Sequence, residues 1–324
     1  MSTVSDALEA LTDLQPDRAR ITADILQGLS LRPRQLPSMY FYDARGSALF
    51  EQITRQPEYY PTRTELKLLQ DCAADIAAAV GPRLHVVELG SGSGRKTELL
   101  LHALADPVAY TPIEISRAAL LASIARLATA LPQIEMLPVC ADFTAPVQVP
   151  TPQRAATRRL LFFPGSTLGN FVHADAVALL QAMRRTMGSD GLALIGIDLH
   201  KDPALIEAAY NDAAGITAAF TLNLLARLNR EIGSDFDLEG FAHRARYSVP
   251  RLRIETELVS RRAQTVQVAG RHFDFAEGEA MTVEYSHKYT DAVFASLAAE
   301  AGLRVCAHWN ATEPAFGLRL LQPL

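Results

Sequence analysis

The chain has 324 residues, enough for two domains of ordinary size, and its 49% hydrophobic content can fill a sizeable core. With 31 Lys and Arg against 36 Asp and Glu the net charge is −5, without the basic excess that an electrostatic nucleic-acid surface needs. The 18 Gly and 18 Pro exclude a collagen-like or low-complexity chain.

Residues 1–40 read as a helical lead-in ending in the loop Leu31–Pro37, where Pro33 and Pro37 break any helix. Asp6, Glu9 and Asp13 stand where a signal peptide would be basic and then apolar, which predicts a cytoplasmic protein. From Thr62 the pattern is helical. Pro61 precedes it, Thr62 or Thr64 can cap it, Glu65 sits in the first turn and Gly81 follows the end. Strands are predicted at Leu84–Leu89, Val108–Ile115, Ile134–Cys140, Arg159–Phe163 and Leu192–Leu199. Helices lie between most of them, among them Ser116–Ala130, with Ser116 as N-cap, and Ala174–Met187. Strands alternating with helices imply right-handed crossovers and a parallel, doubly wound sheet.

Beyond Asp198 the rhythm changes. Helical stretches at about 203–211 and 215–232 precede strands at Arg251–Val259, Ala263–Val268 and Met281–His287. A helix at Ala292–Ala301 and strands at Arg304–Trp309 and Phe316–Leu320 close the chain. The simplest division is an α/β domain of residues 65–199 and 290–324 and a second, α+β lobe of residues 1–64 and 200–289. No apolar run approaches the roughly 18 residues of a membrane helix. Cys72, Cys140 and Cys306 form no C-x-x-C pair, so neither a disulfide framework nor a zinc knuckle is expected.

The first central strand runs into Glu88-Leu89-Gly90-Ser91-Gly92-Ser93-Gly94, with a helix from Arg95. Such glycines let the backbone turn sharply and approach a ligand, although a bare strand-to-helix turn would look alike. A dinucleotide site wants G-x-G-x-x-G, but the third glycine position holds Arg95; E-x-G-x-G-x-G fits S-adenosylmethionine better. Glu114, 24 residues after Gly90, ends the second strand, where a carboxylate can accept ribose hydroxyls. Asp142-Phe143 follows the third strand, where a carboxylate can take the adenine amino group and a ring can cover the base. Each alone reads equally as a cap or surface charge; three at consecutive strand ends point to a ligand.

Three blocks, Tyr40–Glu65 (YFYDARGSALFEQITRQPEYYPTRTE), Phe163–Phe171 (FPGSTLGNF) and Met281–Tyr289 (MTVEYSHKY), resemble the histidine-specific Nα-methyltransferases of ergothioneine biosynthesis. Those enzymes make trimethylhistidine (hercynine) from L-histidine, and the resemblance runs nearly end to end. It implies a Rossmann-like class I methyltransferase domain that binds S-adenosylmethionine, and a substrate-binding lobe. By resemblance, Tyr59 helps hold the substrate carboxylate, Asn170 binds the α-amino group and Tyr210 assists at the same nitrogen. Glu284 and Ser286 grip the imidazole. The cofactor residues implied are Tyr42, Gly90, Lys96, Asp142 and Phe143, with Glu114 where the family has Asp. Thr256 stands where the family has a bulky Met beside the imidazole.

The residue chemistry agrees. Methyl transfer from a sulfonium needs a neutral amine held in line, and an α-amino pKa of about 8 requires no strong base. Glu284 and Ser286, two apart in a strand, share a face, where a carboxylate and a hydroxyl can read both nitrogens of a neutral imidazole. A solvated strand face is the bland alternative for that pair, and packing against a sheet for Tyr59. Other chemistries lack their motifs: no G-x-S-x-G elbow, no H-E-x-x-H, and Phe163-Pro164-Gly165-Ser166 in place of the Asn/Asp-Pro-Pro-aromatic turn of amino-methylating DNA enzymes. The expected substrate is L-histidine, turned over by a monomer without metal, membrane or nucleic acid. Rival readings are another amino acid such as tryptophan, an NAD-dependent dehydrogenase, and a non-catalytic S-adenosylmethionine-binding protein.

Overall fold

Leu84–Leu89 is buried at every position, as a strand inside a parallel sheet covered on both faces must be. In the computed structural model, which describes residues 4–324, it lies near the middle of a nine-stranded sheet. The order is Thr12–Leu14, Val139–Ala141, Ala109–Glu114, Leu84–Leu89, Arg158–Phe163, Leu192–Asp198, Ala315–Pro323 and Leu303–Thr312, with Glu135–Met136 beside Ala109–Glu114. The first six run parallel; the last two join as an antiparallel pair. Chain order runs outward from Leu84–Leu89 in one direction and then resumes on its other side with Arg158–Phe163. That reversal opens a crevice at the carboxyl ends of the strands, where open α/β sheets bind ligands.

Helices cover both faces. Leu100, Leu101, Ile124 and Leu127 pack with Val86, Tyr110 and Phe162 on one. Leu179, Leu180, Met183 and Phe294 pack with Val87, Leu161 and Ile195 on the other. Two corrections concern sequence detail. The strand expected over Ile134–Cys140 is split into Glu135–Met136 and Val139–Ala141, because Pro138 between them has no N–H to give the ladder. The helix expected from Thr62 is two, Tyr60–Asp71 and Ala73–Val80, with the break at Cys72.

The chain separates into two compact units, one holding the residues up to Gln15, Pro61–His200 and Lys288–Leu324, the other Pro16–Tyr60 and Lys201–His287. The N-terminal residues do not all go with the second lobe, as expected of 1–64. Thr12–Leu14 pairs in parallel with Val139–Ala141 and adds an edge strand to the first unit. Its three exposed residues show no periodicity from which a strand could be read.

The second unit has a four-stranded sheet ordered Arg34–Gln35, Ala280–His287, Arg253–Ser260 and Phe241–Ser248, and a hairpin of Gln264–Val268 with Arg271–Phe275. Helices Arg18–Ser30, Ala44–Ile53 and Ile216–Ile232 bury Ile25, Leu29, Ile53, Phe220, Leu224 and Leu228 against Leu258, Met281 and Val283. The strand Phe241–Ser248 was not expected, since its His and Arg side chains hide the alternation. It forms because they are satisfied across the sheet: Arg244 faces Glu257 in register and pairs with it at 2.8 Å.

Candidate active site

The glycine loop leaves Leu84–Leu89 at the crevice, with Gly90 at φ 73° and its N–H bonded to Ile113 O at 2.8 Å. A Cβ on Gly90 would come 3.5 Å from the Phe143 ring, so the bare backbone and that ring face one another. Gly94, at φ 68°, is more crowded, because a Cβ would lie 3.1 Å from Leu127 and 3.2 Å from Arg126. Arg126 also holds the Ser93 carbonyl at 2.7 Å.

Glu114 is buried at the end of its strand. One carboxylate oxygen accepts from Gly92 N at 3.0 Å and the other from Ser116 N at 2.9 Å, tying the glycine loop to the next strand end. Burial pushes its pKa above the ordinary range, against the opposing pull of these N–H groups. Asp142, also buried, accepts from the backbone N–H of Thr144 at 2.9 Å and from its hydroxyl at 2.6 Å, which fixes the turn presenting Phe143. The Phe143 ring meets Phe163 and Phe171 edge-on, at 5.5 and 6.3 Å between centroids.

Glu88, the acid of the glycine motif, is wholly buried. It accepts from Thr97 Oγ1 at 2.5 Å and from the Tyr110 hydroxyl, pinning the helix Arg95–Ala103 to two strands. Burial raises its pKa to about 8, so at neutral pH the acid is predominantly protonated. Lys96 pairs at 2.5 Å with Glu65, a fully buried carboxylate that also accepts the N–H of Gly165. Gly165 and Ser166 both take left-handed φ, 82° and 56°, and open the turn Thr167–Asn170 that ends on Asn170. Ser166 Oγ accepts from Asp198 N at 2.9 Å, fastening the same turn to the neighbouring strand.

The residues expected to hold the cofactor, Gly90, Lys96, Glu114, Asp142 and Phe143, all lie in the first unit, together with Asn170. Tyr42, Tyr59, Tyr210, Glu284 and Ser286 all lie in the second. There the Tyr210 hydroxyl donates to Ser286 Oγ at 2.7 Å, and the Tyr59 and Tyr210 rings meet edge-on at 6.3 Å. Glu284 faces Thr256 in the strand register, two pairs along from Ser286 facing Ile254. Thr256 is fully buried and its hydroxyl has no hydrogen-bond partner. Tyr42 packs edge-on against Phe50 and Phe220, just before Asp43, which caps the helix Ala44–Ile53 and is held by Asn223 and Arg230.

Two residues have partners that the sequence does not announce. In sequence Glu65 is only a first-turn acid. His243 was read not at all, yet its Nε2 donates to the Tyr210 carbonyl at 3.0 Å, an oxygen that can only accept. Its Nδ1 then accepts, from Thr221 at 3.0 Å, and burial lowers the ring's pKa, which keeps the imidazole neutral. No local pattern marks either residue, because their partners are distant in sequence. Among the described residues no group of His, Cys, Asp and Glu could hold a metal, and no helix is long and apolar enough to cross a membrane.

Residues 21–323 match the family model of histidine-specific, S-adenosylmethionine-dependent methyltransferases. The chain belongs to that family. Among relatives of this histidine-specific methyltransferase family, the histidine N-alpha-methyltransferase of Mycolicibacterium smegmatis is 43% identical over 305 residues, 92% of this chain and 93% of the relative. The histidine N-alpha-methyltransferase of Mycobacterium tuberculosis is 39% identical, with 92% and 93% covered. Ergothioneine biosynthesis protein 1 of Neurospora crassa is 30% identical over 89% of this chain, which spans 33% of that longer protein. This family member is thus an enzyme that uses S-adenosylmethionine, and its first unit fits the donor. The backbone at Gly90 faces an aromatic ring, buried carboxylates stand at Glu114 and Asp142, and a cation stands at Lys96.

Proposed function

We propose that the enzyme transfers methyl groups from S-adenosylmethionine to the α-amino nitrogen of L-histidine, three in succession, giving Nα,Nα,Nα-trimethylhistidine (hercynine), as in ergothioneine biosynthesis. When bound, the donor supplies an electrophilic methyl group on a sulfonium. Gly90, Lys96, Glu114, Asp142, Phe143 and Tyr42 would hold it. The chain itself has to select histidine and keep its amine neutral and oriented.

The observation that carries this reading is the Tyr210–Ser286 hydrogen bond, with Glu284 two residues along the same strand. A hydroxyl has one proton to donate. Because Ser286 accepts from Tyr210, its own proton can go to the unprotonated nitrogen of a neutral imidazole. Glu284, as carboxylate, accepts from the other nitrogen, so the pair reads a ring with one donor and one acceptor. Tyr59 takes the substrate carboxylate. Asn170 and Tyr210 accept from the α-amino group and orient it without adding charge. Later rounds have fewer N–H bonds to hold, so the faces of Tyr42, Tyr59 and Tyr210 stabilise the growing cation.

In this reading the enzyme is a cytoplasmic monomer acting on a small molecule, with no nucleic acid or membrane. The net charge of −5 argues against a nucleic-acid partner. A second reading, Nα-methylation of tryptophan, is favoured by Thr256, a small, fully buried side chain facing Glu284, which leaves room for a larger ring. Mass spectrometry of the purified protein, incubated with S-adenosylmethionine and the twenty amino acids, decides. A trimethylated histidine supports the first reading; methyl groups on another amino acid alone, or on none, overturn it.

A further inference from the structure

Glu65 is fully buried on the helix Tyr60–Asp71, and a buried carboxylate is costly unless it is both paired and hydrogen-bonded. Both conditions are met. Its Oε2 lies 2.5 Å from the Lys96 ammonium, and Oε1 and Oε2 accept the Gly165 N–H at 3.0 and 2.8 Å. The surroundings are shaped to admit it. Gly196, inside the strand Leu192–Asp198, lies so close that a Cβ there would stand 2.0 Å from Oε1. Gly165 turns its N–H inward at a left-handed φ of 82°.

What this carboxylate joins is informative. Lys96 sits in the first turn of the helix that follows the glycine loop, with its side chain 18% exposed. Gly165 opens the turn that ends on Asn170. We propose that Glu65 is a positioning residue for both reactants: it aims the Lys96 ammonium at the donor's amino-acid carboxylate and pins the turn that presents Asn170 to the substrate amine. This rests on the donor and substrate roles given under Proposed function. One further consequence follows from charge. S-adenosylmethionine is a net cation, because its sulfonium adds to a zwitterion. An uncompensated lysine would repel it, whereas the Glu65–Lys96 pair is neutral and still offers directional N–H groups.

The test uses Glu65→Gln, which keeps the shape and one acceptor oxygen but removes the charge. Calorimetric titrations would compare S-adenosylmethionine, S-adenosylhomocysteine and 5′-methylthioadenosine, which lacks the amino-acid end. Expected are unchanged affinity for methylthioadenosine, affinity for S-adenosylhomocysteine lowered about tenfold, and a larger loss for S-adenosylmethionine. The neutral double variant Glu65→Gln/Lys96→Met should bind S-adenosylhomocysteine no worse than Lys96→Met alone, since the effect passes through Lys96. Glu65→Ala, which also releases Gly165, should raise the Kd for histidine in the S-adenosylhomocysteine complex, whereas Gln should not. Equal losses for all three nucleosides, tracking a lowered melting temperature, would show a merely structural acid and overturn the proposal. So would unchanged affinities in a folded variant. Failure of the wild-type protein to methylate histidine would instead overturn the underlying reading, which the variants do not touch.

Discussion

Replacing Glu88 by Gln is expected to change the pH dependence of folding in one direction. The native carboxyl is raised from 4.5 to about 8, with burial as the largest cause. Below the unfolded pKa both states carry the proton and the group's contribution to stability is fully present. As pH rises towards about 8 the unfolded chain loses the proton and the native one keeps it, so unfolding becomes progressively easier. Above that value the contribution is gone. At 1.36 kcal/mol for each pKa unit, the interval sets a ceiling of roughly 5 kcal/mol, of which relaxation around the charged form leaves about 2–3 kcal/mol. A glutamine amide oxygen can accept from Thr97 and Tyr110 as Glu88 does, without a proton to release. Urea unfolding in half-unit steps from about pH 5 to about pH 9 would measure both proteins. The stability of wild type relative to the variant should fall by about 2–3 kcal/mol across that range. Parallel curves would refute the reasoning and show that Glu88 is ionised in the native state at neutral pH.

The site carries three further expectations. Asp142→Ala should weaken S-adenosylhomocysteine binding by about 1.5–3 kcal/mol, read by calorimetry on a folded variant, because a charged acceptor is lost; unchanged affinity would remove Asp142 from the donor site. Asn170→Ala should lower kcat for histidine and leave donor affinity nearly intact, and normal turnover would dissociate Asn170 from the amine. Glu284→Ala should shrink the preference for histidine over tryptophan, measured as kcat/KM, by about 2 kcal/mol or more. The physical reason is that the half-buried Glu284 carboxylate accepts an N–H from the imidazole edge that a bulkier, largely apolar indole matches less well. An unchanged ratio would mean that Glu284 does not select the ring.

The placement of the residues proposed to hold the donor was legible because it is local. Gly90, Glu114 and Asp142-Phe143 are each placed by the end of a strand, and strand ends follow from short apolar runs and the caps after them. Ser116 was readable as an N-cap for the same reason, and its side chain does accept from Ala119 N. Where neighbours far along the chain decide, the reading failed. Thr12–Leu14 is a strand only because Val139–Ala141 offers it a ladder, and Phe241–Ser248 only because Glu257 faces Arg244. Glu88 is legible only as the acid that opens the glycine motif, while its burial between Thr97 and Tyr110 makes it a protonated brace.

The sequence by itself determined the alternation of strands and helices, the family, and the residue types on which the chemistry depends. Those follow from periodicity, glycine spacing and blocks such as Gln56-Pro57-Glu58-Tyr59-Tyr60-Pro61, which are properties of the chain read in order. Only the tertiary structure decided which groups are charged, which are paired, and which serve another residue. Glu65 and Gly165 are 100 positions apart, and Tyr210 and Ser286 are 76 apart. A hydrogen bond over such a separation leaves no periodic trace in the sequence. Burial, which moves the pKa of Glu88 and keeps His243 neutral, is a property of the packed interior and not of any segment of the chain.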